Sequence, residues 1–372
     1  MFLATSSRGL NKYHQDPEQT ILYSLPMSVN APTVLVTGAN GYLSCHVINE
    51  LLRKGYHVRG TVRSKAAECV VRDTFPEAFG SKLKIIYVRD LTNPKEFKES
   101  LTEDIIGVVH AASPAPSQVE DNVRDMLDPA VKGATSILEA CKLYAGPSLK
   151  RVVHISSFAA CLDLSKGFRP GYTYSESDWN PTTYEQATTI KDPVALYIAS
   201  KALSERAVWS WMKEQAPRFD LASLAPVTVF GPHLEQVSSM DAIKSTARLL
   251  WQLVDAEKIP EPDFPGCVDV RDTAAMVVAA LETPEAGGNR FVLSQQFDWQ
   301  TAADDARNGL GDARDRIPEG KPGTGKYEGL LTMYQINGSK AVDVLKVDYR
   351  PLSVTITDTL SQFLAIEKGP TK

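Results

Sequence analysis

Thr33-Val34-Leu35-Val36-Thr37-Gly38-Ala39-Asn40-Gly41-Tyr42-Leu43-Ser44-Cys45-His46-Val47 decides the fold. Its first five residues form a short apolar, β-branched run, the mark of a strand buried on both faces in a parallel sheet. Gly38-Ala39-Asn40-Gly41 follows at once. Leu43, Val47, Ile48, Leu51 and Leu52 then recur at helical spacing until Gly55 closes the helix. Strand, glycine turn and helix in that order make a phosphate loop. Gly38 permits the tight turn. Gly41 lets the backbone approach a pyrophosphate resting on the helix N-terminus, where the first N–H groups have no partner of their own. Thr37, Asn40, Tyr42 and Leu43 border that contact and join the candidate cofactor residues. The third small position of such a loop is usually glycine; here it is Ser44, small enough to fit but a departure.

Outward from this stretch the chain alternates strand and helix. The second strand, Tyr56 to Val62, runs into Arg63-Ser64-Lys65. A site for NAD carries Asp or Glu there to hold the ribose 2′-hydroxyl. Arg63 stands in that place, with Lys65 and Arg59 near, and a guanidinium suits a 2′-phosphate through bidentate, charge-assisted bonds. The expected cofactor is therefore NADP(H). A helix over 66–75, a strand over 83–88 and a further helix follow, with Asp90-Leu91 at the strand's end. Asp90 is placed either to bond an adenine amino group or to cap what comes next. Gly107 to His110 is a buried strand that ends in Ala111-Ala112-Ser113-Pro114, small residues suited to a backbone passing close to a cofactor. His110 reads as a packing residue. A helix spans 123–144, and the strand 151–155 delivers Ser156 and Ser157 to the ligand-facing edge of the sheet. Residues 163–193 form a loop rich in Ser, Thr, Pro and aromatics (Phe168, Tyr172, Tyr174, Trp179, Tyr184), which suits a binding lid.

Tyr197-Ile198-Ala199-Ser200-Lys201 lies in a helical run over 194–212. Tyr and Lys four apart share one helix face, which sets an ammonium beside a phenol. Such a charge favours the phenolate and lowers a tyrosine pKa from about 10. A phenol tuned that way exchanges a proton with a carbonyl oxygen or an alcohol near neutral pH. A strand over 221–224 and Pro226-Val227-Thr228-Val229-Phe230-Gly231-Pro232 follow. Past 232 the rhythm weakens: helices are expected over 241–256, 273–281, 339–345 and 354–363, a strand over 290–294, and a charged, glycine-rich loop over 304–326.

Composition excludes other classes. The 372 residues are 43% apolar and 23% charged, ordinary for a globular protein. Forty basic against 45 acidic residues give −5 with no long run of one sign, so nothing points to nucleic acid or an anionic membrane. Cys45, Cys69, Cys141, Cys161 and Cys267 are scattered and odd in number, with no C-x-x-C pair, which argues against disulfides or a metal site. No apolar run approaches the roughly 18 residues of a membrane span. A cytoplasmic protein, monomer or homodimer, acting on a small molecule is expected. Residues 1–30 read as a loosely ordered extension without a signal-peptide core, and Met27 is a plausible alternative start.

VTGANGYLSCHV (36–47), GYHVRGTVRS (55–64), VVHAASP (108–114), HISS (154–157), YIASK (197–201), PVTVFGP (226–232), VDVRDTA (268–274) and YRPL (349–352) occur in this order over roughly residues 32–365. Together they resemble the extended short-chain dehydrogenase/reductase superfamily. Within it they are similar to the group of dihydroflavonol reductases, cinnamoyl-CoA reductases and fungal aldehyde or ketone reductases. The resemblance implies an α/β fold: a doubly wound, parallel Rossmann sheet over 31–232. A smaller C-terminal substrate lobe over 233–372 would follow, with residues 268–285 packing back on the first domain. It implies Tyr197 as general acid, Lys201 on the nicotinamide ribose, Ser157 as the catalytic serine with Ser156 its neighbour, and Gly38, Gly41, Arg63 and Asp90 on the cofactor. Pro226 would begin the segment beside the nicotinamide, with Val229 in it. Hydride would come from NADPH, and the carbonyl would become an alcohol. Dihydroflavonol reductases tend to carry Asn five residues after the catalytic serine; Leu162 stands there, against that substrate. Ala159, Ala160, Cys161 and Leu162, with the aromatic loop, suggest an apolar, aromatic or polyketide-like carbonyl compound. Two rivals remain: a nucleotide-sugar epimerase or dehydratase with tightly held NAD, which Thr61 and Arg63 disfavour, and a non-catalytic NADP(H) sensor, which the Tyr/Lys pair disfavours.

Overall fold

The computed structural model describes residues 31–113, 118–325 and 331–369, so the expected extension over 1–30 and Pro114 lie outside the described residues. β1 (Thr33–Thr37) is buried along its whole length, and its alternating side chains feed two cores. Val34 and Val36 pack with Val47, Ile48 and Leu51 on one face of the sheet, while Leu35 packs with Ile137, Leu138 and Val208 on the other. A strand that is apolar on both faces needs helices on both.

The chain supplies them in turn: α1 (Tyr42–Arg53), β2 (His57–Val62), α2 (Lys65–Thr74), β3 (Leu83–Tyr87), β4 (Ile105–His110), α3 (Asp128–Tyr144) and β5 (Arg151–Ile155). It continues through β6 (Thr173–Tyr174), α4 (Tyr184–Ala187), α5 (Pro193–Gln215), β7 (Asp220–Pro226), β8 (Thr228–Phe230), β9 (Gly266–Asp269), α6 (Val270–Glu282) and β10 (Arg290–Leu293). β11 (Gln295–Gln296), α7 (Trp299–Gly309), β12 (Gln335–Ile336), α8 (Ser339–Leu345) and α9 (Leu352–Lys368) complete it. The seven-stranded sheet has the order β10-β7-β5-β4-β1-β2-β3, and every pairing in it is parallel. This is the doubly wound Rossmann arrangement, with its order reversing between β1 and β4, where ligands bind in such sheets.

The seventh strand comes from beyond the boundary expected at 232, and also from beyond 268–285. Having left β7, the chain returns through α6, which packs Met276 and Val277 against Val47 and Ile48 of α1, and then lays β10 beside β7. The remaining C-terminal segments build a separate core in which Phe230, Leu250, Phe297, Trp299, Ile356 and Leu360 meet.

Three expectations change. The helix expected over 123–144 begins as a π-helical turn at Asn122–Leu127, and α3 proper starts where Pro129, which has no N–H to give, occupies the first turn. Residues 241–256 are not α-helical. Thr246–Leu253 is a 3-10 helix whose buried Ala247, Leu250 and Leu253 recur every third residue, the period of that helix. The loop expected over 304–326 is helical to Gly309: the Asp298 side chain accepts from the Thr301 N–H at 2.7 Å, and Ala302, Ala303 and Ala306 are buried. Among the described residues no helix is long and apolar enough to cross a membrane.

One glycine in the sheet has a measurable consequence. A Cβ on Gly60 of β2 would lie 2.8 Å from the Ala39 Cβ and 2.9 Å from Ile85 Cδ1. Gly60→Ala should therefore cost about 1–3 kcal/mol, the usual cost of overpacking, read as a lower urea midpoint at unchanged slope.

Candidate active site

The strand ends at the switch point are drawn together tightly. Gly38 takes φ +66°, and a Cβ there would lie 3.1 Å from the Ala112 Cα. The Ala112 N–H donates to Thr37 Oγ1 at 3.0 Å, and the same hydroxyl bonds His110 Nδ1 at 2.9 Å. Thr37 and His110 thus lock β1 to β4, and burial holds His110 neutral by pushing its pKa well down. The Gly41 N–H donates to the Gly38 carbonyl at 2.9 Å, and a Cβ on Gly41 would lie 3.2 Å from that oxygen. The departure at Ser44 is absorbed here: its buried hydroxyl lies 3.4 Å from where that Cβ would be, filling the space Gly41 leaves.

α1 has no side-chain cap and no acidic residue in its first turn; α3, α8 and α9 also lack a capping side chain, but only α1 starts directly after the glycine turn at the end of β1. An uncapped helix start above a glycine cradle is an anion site by its unpaired N–H groups and its dipole, and a dinucleotide pyrophosphate fits it. Of the flanking candidates, Asn40 is exposed, Leu43 packs against the core, and the Tyr42 phenol donates to the Gly231 carbonyl at 2.7 Å.

At the end of β2, Arg63 is exposed and has no carboxylate partner among the described residues. Lys65 is held by Glu68 at 2.8 Å. Arg59 turns away, toward the Ser100 carbonyl at 3.3 Å and Asp104 at 3.7 Å. Arg63 is therefore the uncommitted cation of the three. Asp90 accepts from the Thr92 N–H at 2.8 Å and its hydroxyl at 2.7 Å, ordering the turn, with Leu91 half-buried beside it. Ala111 and Ala112 are half-buried and Ser113 exposed at the end of β4.

Ser157 leaves β5 and caps a 3-10 turn, accepting from the Ala159 N–H at 3.2 Å, which fixes its hydroxyl in place. The Ser157 side chain acts on the Tyr197 phenol from across the site. Both residues line a cleft of about 510 Å³. Tyr197 is 46% exposed as a residue and lines the cleft. Burial raises the Tyr197 pKa, and the Ser157 side chain opposes the rise. The expected lowering of that pKa by Lys201 is not what the site shows. Lys201 is itself buried, and burial lowers its pKa to about 8 against the opposing charge of Glu205. Its own charge acts on His110 and His154, whose rings stack 5.8 Å apart and which burial keeps neutral, His154 at about 4.

Ser156 points the other way from Ser157. Its hydroxyl donates to Glu205 at 2.7 Å and its N–H to the Leu224 carbonyl at 2.8 Å, so neither donor remains for a cofactor. Pro226 is buried at the end of β7 and Val229 half-buried in β8; between them Val227 and Thr228 line the cleft.

The cleft wall is largely apolar: Leu162, Leu164, Phe168, Val194, Ile198 and Phe264 contribute to it. Of the five aromatics expected in a lid, only Phe168 is part of this wall. Tyr174 packs in a cluster with Tyr172 and Tyr334, Trp179 lies under the Arg290 guanidinium, and the Tyr184 phenol donates to Asp128 at 2.6 Å. The loop is fastened to the fold by most of its rings. Thr246, Asp263, Phe264, Tyr334 and Ile336 also line the cleft and were not singled out in the sequence, which brings them from far along the chain without a motif. Glu205 was missed too, although its place one helical turn beyond Lys201 is legible.

A Rossmann sheet with a glycine turn before α1, beside a cleft lined by Ser157 and Tyr197, is the architecture of a dinucleotide-dependent oxidoreductase. The model for the NAD dependent epimerase/dehydratase family matches residues 34–294, and the chain belongs to that family. It is 34% identical over 346 residues to the NADPH-dependent methylglyoxal reductase of Saccharomyces cerevisiae, covering 90% of this chain and 99% of that one. It is 30% identical over 344 residues to a ketoreductase of Aspergillus niger, covering 90% and 98%. The crystal structure of yeast methylglyoxal/isovaleraldehyde reductase complexed with NADPH is similar at a TM-score of 0.79 and 32% identity, over 90% of this chain and 98% of that chain. The resemblance read from the motifs is borne out.

Proposed function

We propose that the chain is an NADPH-dependent reductase that turns an apolar aldehyde or ketone into an alcohol, with Tyr197 as the general acid. The observation that carries this reading is that Ser157 and Tyr197 line one apolar cleft, with the serine side chain acting on the phenol. NADP(H) is the cofactor, and when bound it supplies the hydride, which no side chain can. The residues fit it: the uncapped start of α1 above Gly38 and Gly41 for the pyrophosphate, and Arg63 for the 2′-phosphate.

The chain's own part is to bind the carbonyl and deliver a proton. The Ser157 hydroxyl donates to the substrate oxygen and holds it beside Tyr197. The phenol gives its proton as negative charge develops on that oxygen. Its raised pKa keeps it protonated, and so able to act as an acid, across the neutral range. The Lys201 ammonium, on the same helix face, holds the ribose side of the cofactor and stabilises the phenolate left behind. The wall of Leu162, Leu164 and Phe168 excludes water and favours an uncharged, apolar substrate. Arg63 in place of an acidic residue speaks against the epimerase reading.

Replacing Tyr197 by Phe should lower kcat at least ~100-fold while leaving NADPH fluorescence binding intact; a rate within threefold of wild type would defeat the assignment. Arg63→Ala should raise KM for NADPH at least ~10-fold, as loss of a charge-assisted bond of about 1.5–3 kcal/mol implies, and leave KM for NADH unchanged. Equal effects on both cofactors would dismiss Arg63 as the reader of the 2′-phosphate. Lys201 is charged below a pKa of about 8 and neutral above it. Profiles of kcat/KM for NADPH, which report the free enzyme, should accordingly be flat below that pH and fall above it.

A further inference from the structure

Behind the catalytic face lies a charged cluster that the reaction as described does not use. Glu205 is fully buried, one turn beyond Lys201 on α5. Its carboxylate accepts from Ser156 Oγ at 2.7 Å, Ser223 Oγ at 2.8 Å, Trp209 Nε1 at 3.2 Å, and Arg290 Nε and Nη2 at 2.9 and 3.2 Å. Arg290 of β10 also donates to the Glu176 and Asp178 carbonyls at 2.5 and 2.9 Å, and stacks 3.6 Å over Trp179. One carboxylate therefore joins the end of β5, where Ser157 begins, to α5, to β10 and to the loop that forms part of the cleft wall.

A carboxylate with no exposure is costly to retain unless it is both bonded and charge-paired. Arg290 already pairs it, so stability alone does not require the Lys201 side. Lys201 is the second buried cation here, and Glu205, one turn on along α5, is the carboxylate among the described residues whose charge opposes the burial of that ammonium. The other titratable groups facing this cluster are His110 of β4 and His154 of β5, both held neutral by burial, Cys161, whose thiol burial pushes up to about 12, and Tyr197.

We propose that Glu205 is a positioning residue of the active site: its carboxylate is the counter-charge that keeps the Lys201 ammonium protonated at working pH, and its bond to Ser156 sets the strand end that carries Ser157. This rests on the reading that a charged Lys201 is needed for turnover. Without Glu205 no opposing charge offsets the burial of the ammonium, and its proton leaves at lower pH.

The test is the pH dependence of kcat/KM for NADPH in wild type, Glu205→Gln and Ser223→Ala, each checked for folding by circular dichroism. Glu205→Gln should move the alkaline limb down by roughly one pH unit or more. Ser223→Ala removes one of the carboxylate's bonds but no charge, and should leave the limb in place. A merely structural Glu205 would lower the melting temperature without moving the limb, and that result overturns the proposal. If Glu205→Gln does not fold, the double variant Glu205→Gln/Arg290→Gln, which removes the buried pair together, decides: its limb should fall, and an unmoved limb overturns the proposal. A wild-type profile with no alkaline limb defeats the reading of Lys201 itself; a wild-type limb that Glu205→Gln does not shift defeats only the role of Glu205.

Discussion

The close contact between Gly38 and Ala112 is the constraint on which the site depends. Helical crossovers from β1 and from β4 leave in opposite directions, so the two strand ends part only after they have touched. Any side chain at Gly38 would have to enter the space of the Ala112 backbone, 3.1 Å away, and take a φ of +66°. With both strands held that near, the start of α1 and its unpaired N–H groups are set at the point where the strand order reverses. Thr37 closes the contact by bonding both the Ala112 N–H and His110. Without this pinch the glycine turn would be an ordinary loop and the uncapped helix a fraying end.

Desolvation sets the second half of the site, and it acts on both titrating partners in the same sense. It raises Tyr197 and lowers Lys201, so each group is pushed toward its neutral form. For a reductase the first displacement is useful, since the phenol must start protonated. The second carries a cost. Moving a lysine from 10.5 to about 8 corresponds to about 3 kcal/mol against the charged form. Below pH 8 the folded chain carries that cost in full. Between 8 and 10.5 the unfolded chain holds a proton that the folded one has released, so this group's contribution to stability rises with pH through that window. Burial that serves the acid thus works against the ammonium beside it, and the buried carboxylate of Glu205 is the only charge that opposes it from the same helix.

The parts of this arrangement that were legible in the sequence are those with short-range causes. A β-branched run, two glycines and a helical repeat are adjacent, so β1, the turn and α1 follow from spacing alone. Tyr197 and Lys201 share a face because a helix has its fixed period. The direction of the Tyr197 shift was not legible, because desolvation depends on what the rest of the chain stacks over α5. Ser156 and Ser157 look alike in sequence, yet the strand pleat sends one inward to Glu205 and the other into the cleft. The 3-10 helix at Thr246–Leu253 shows the same limit: its buried residues fall every third position, but an apolar run of that length also suits an α-helix until its neighbours are known. The place of β10 was not legible either, since it joins the large sheet through its pairing with β7 and nothing local to residues 290–293 says so.

The residues proposed for catalysis and the residues of the cleft wall are placed on different kinds of structure. Ser157 is fixed by the strand end and its own capping bond, and Tyr197 and Lys201 by a helix of 23 residues. The cleft wall around them is assembled from Leu162, Leu164 and Phe168 in one connection, Thr246 in the 3-10 helix, and Phe264 and Tyr334 from the C-terminal part. A change in any of those wall residues alters volume and polarity without moving the hydroxyl, the phenol or the ammonium. Loops on a rigid frame can vary in that way at little cost to the chemistry. The same separation explains why the motifs identify a reductase while the substrate is decided by positions that belong to no motif. Leu162 is the exception: tied by count to Ser157, it occupies both a sequence pattern and the wall, and as an apolar side chain there it offers a hydroxylated substrate no hydrogen bond.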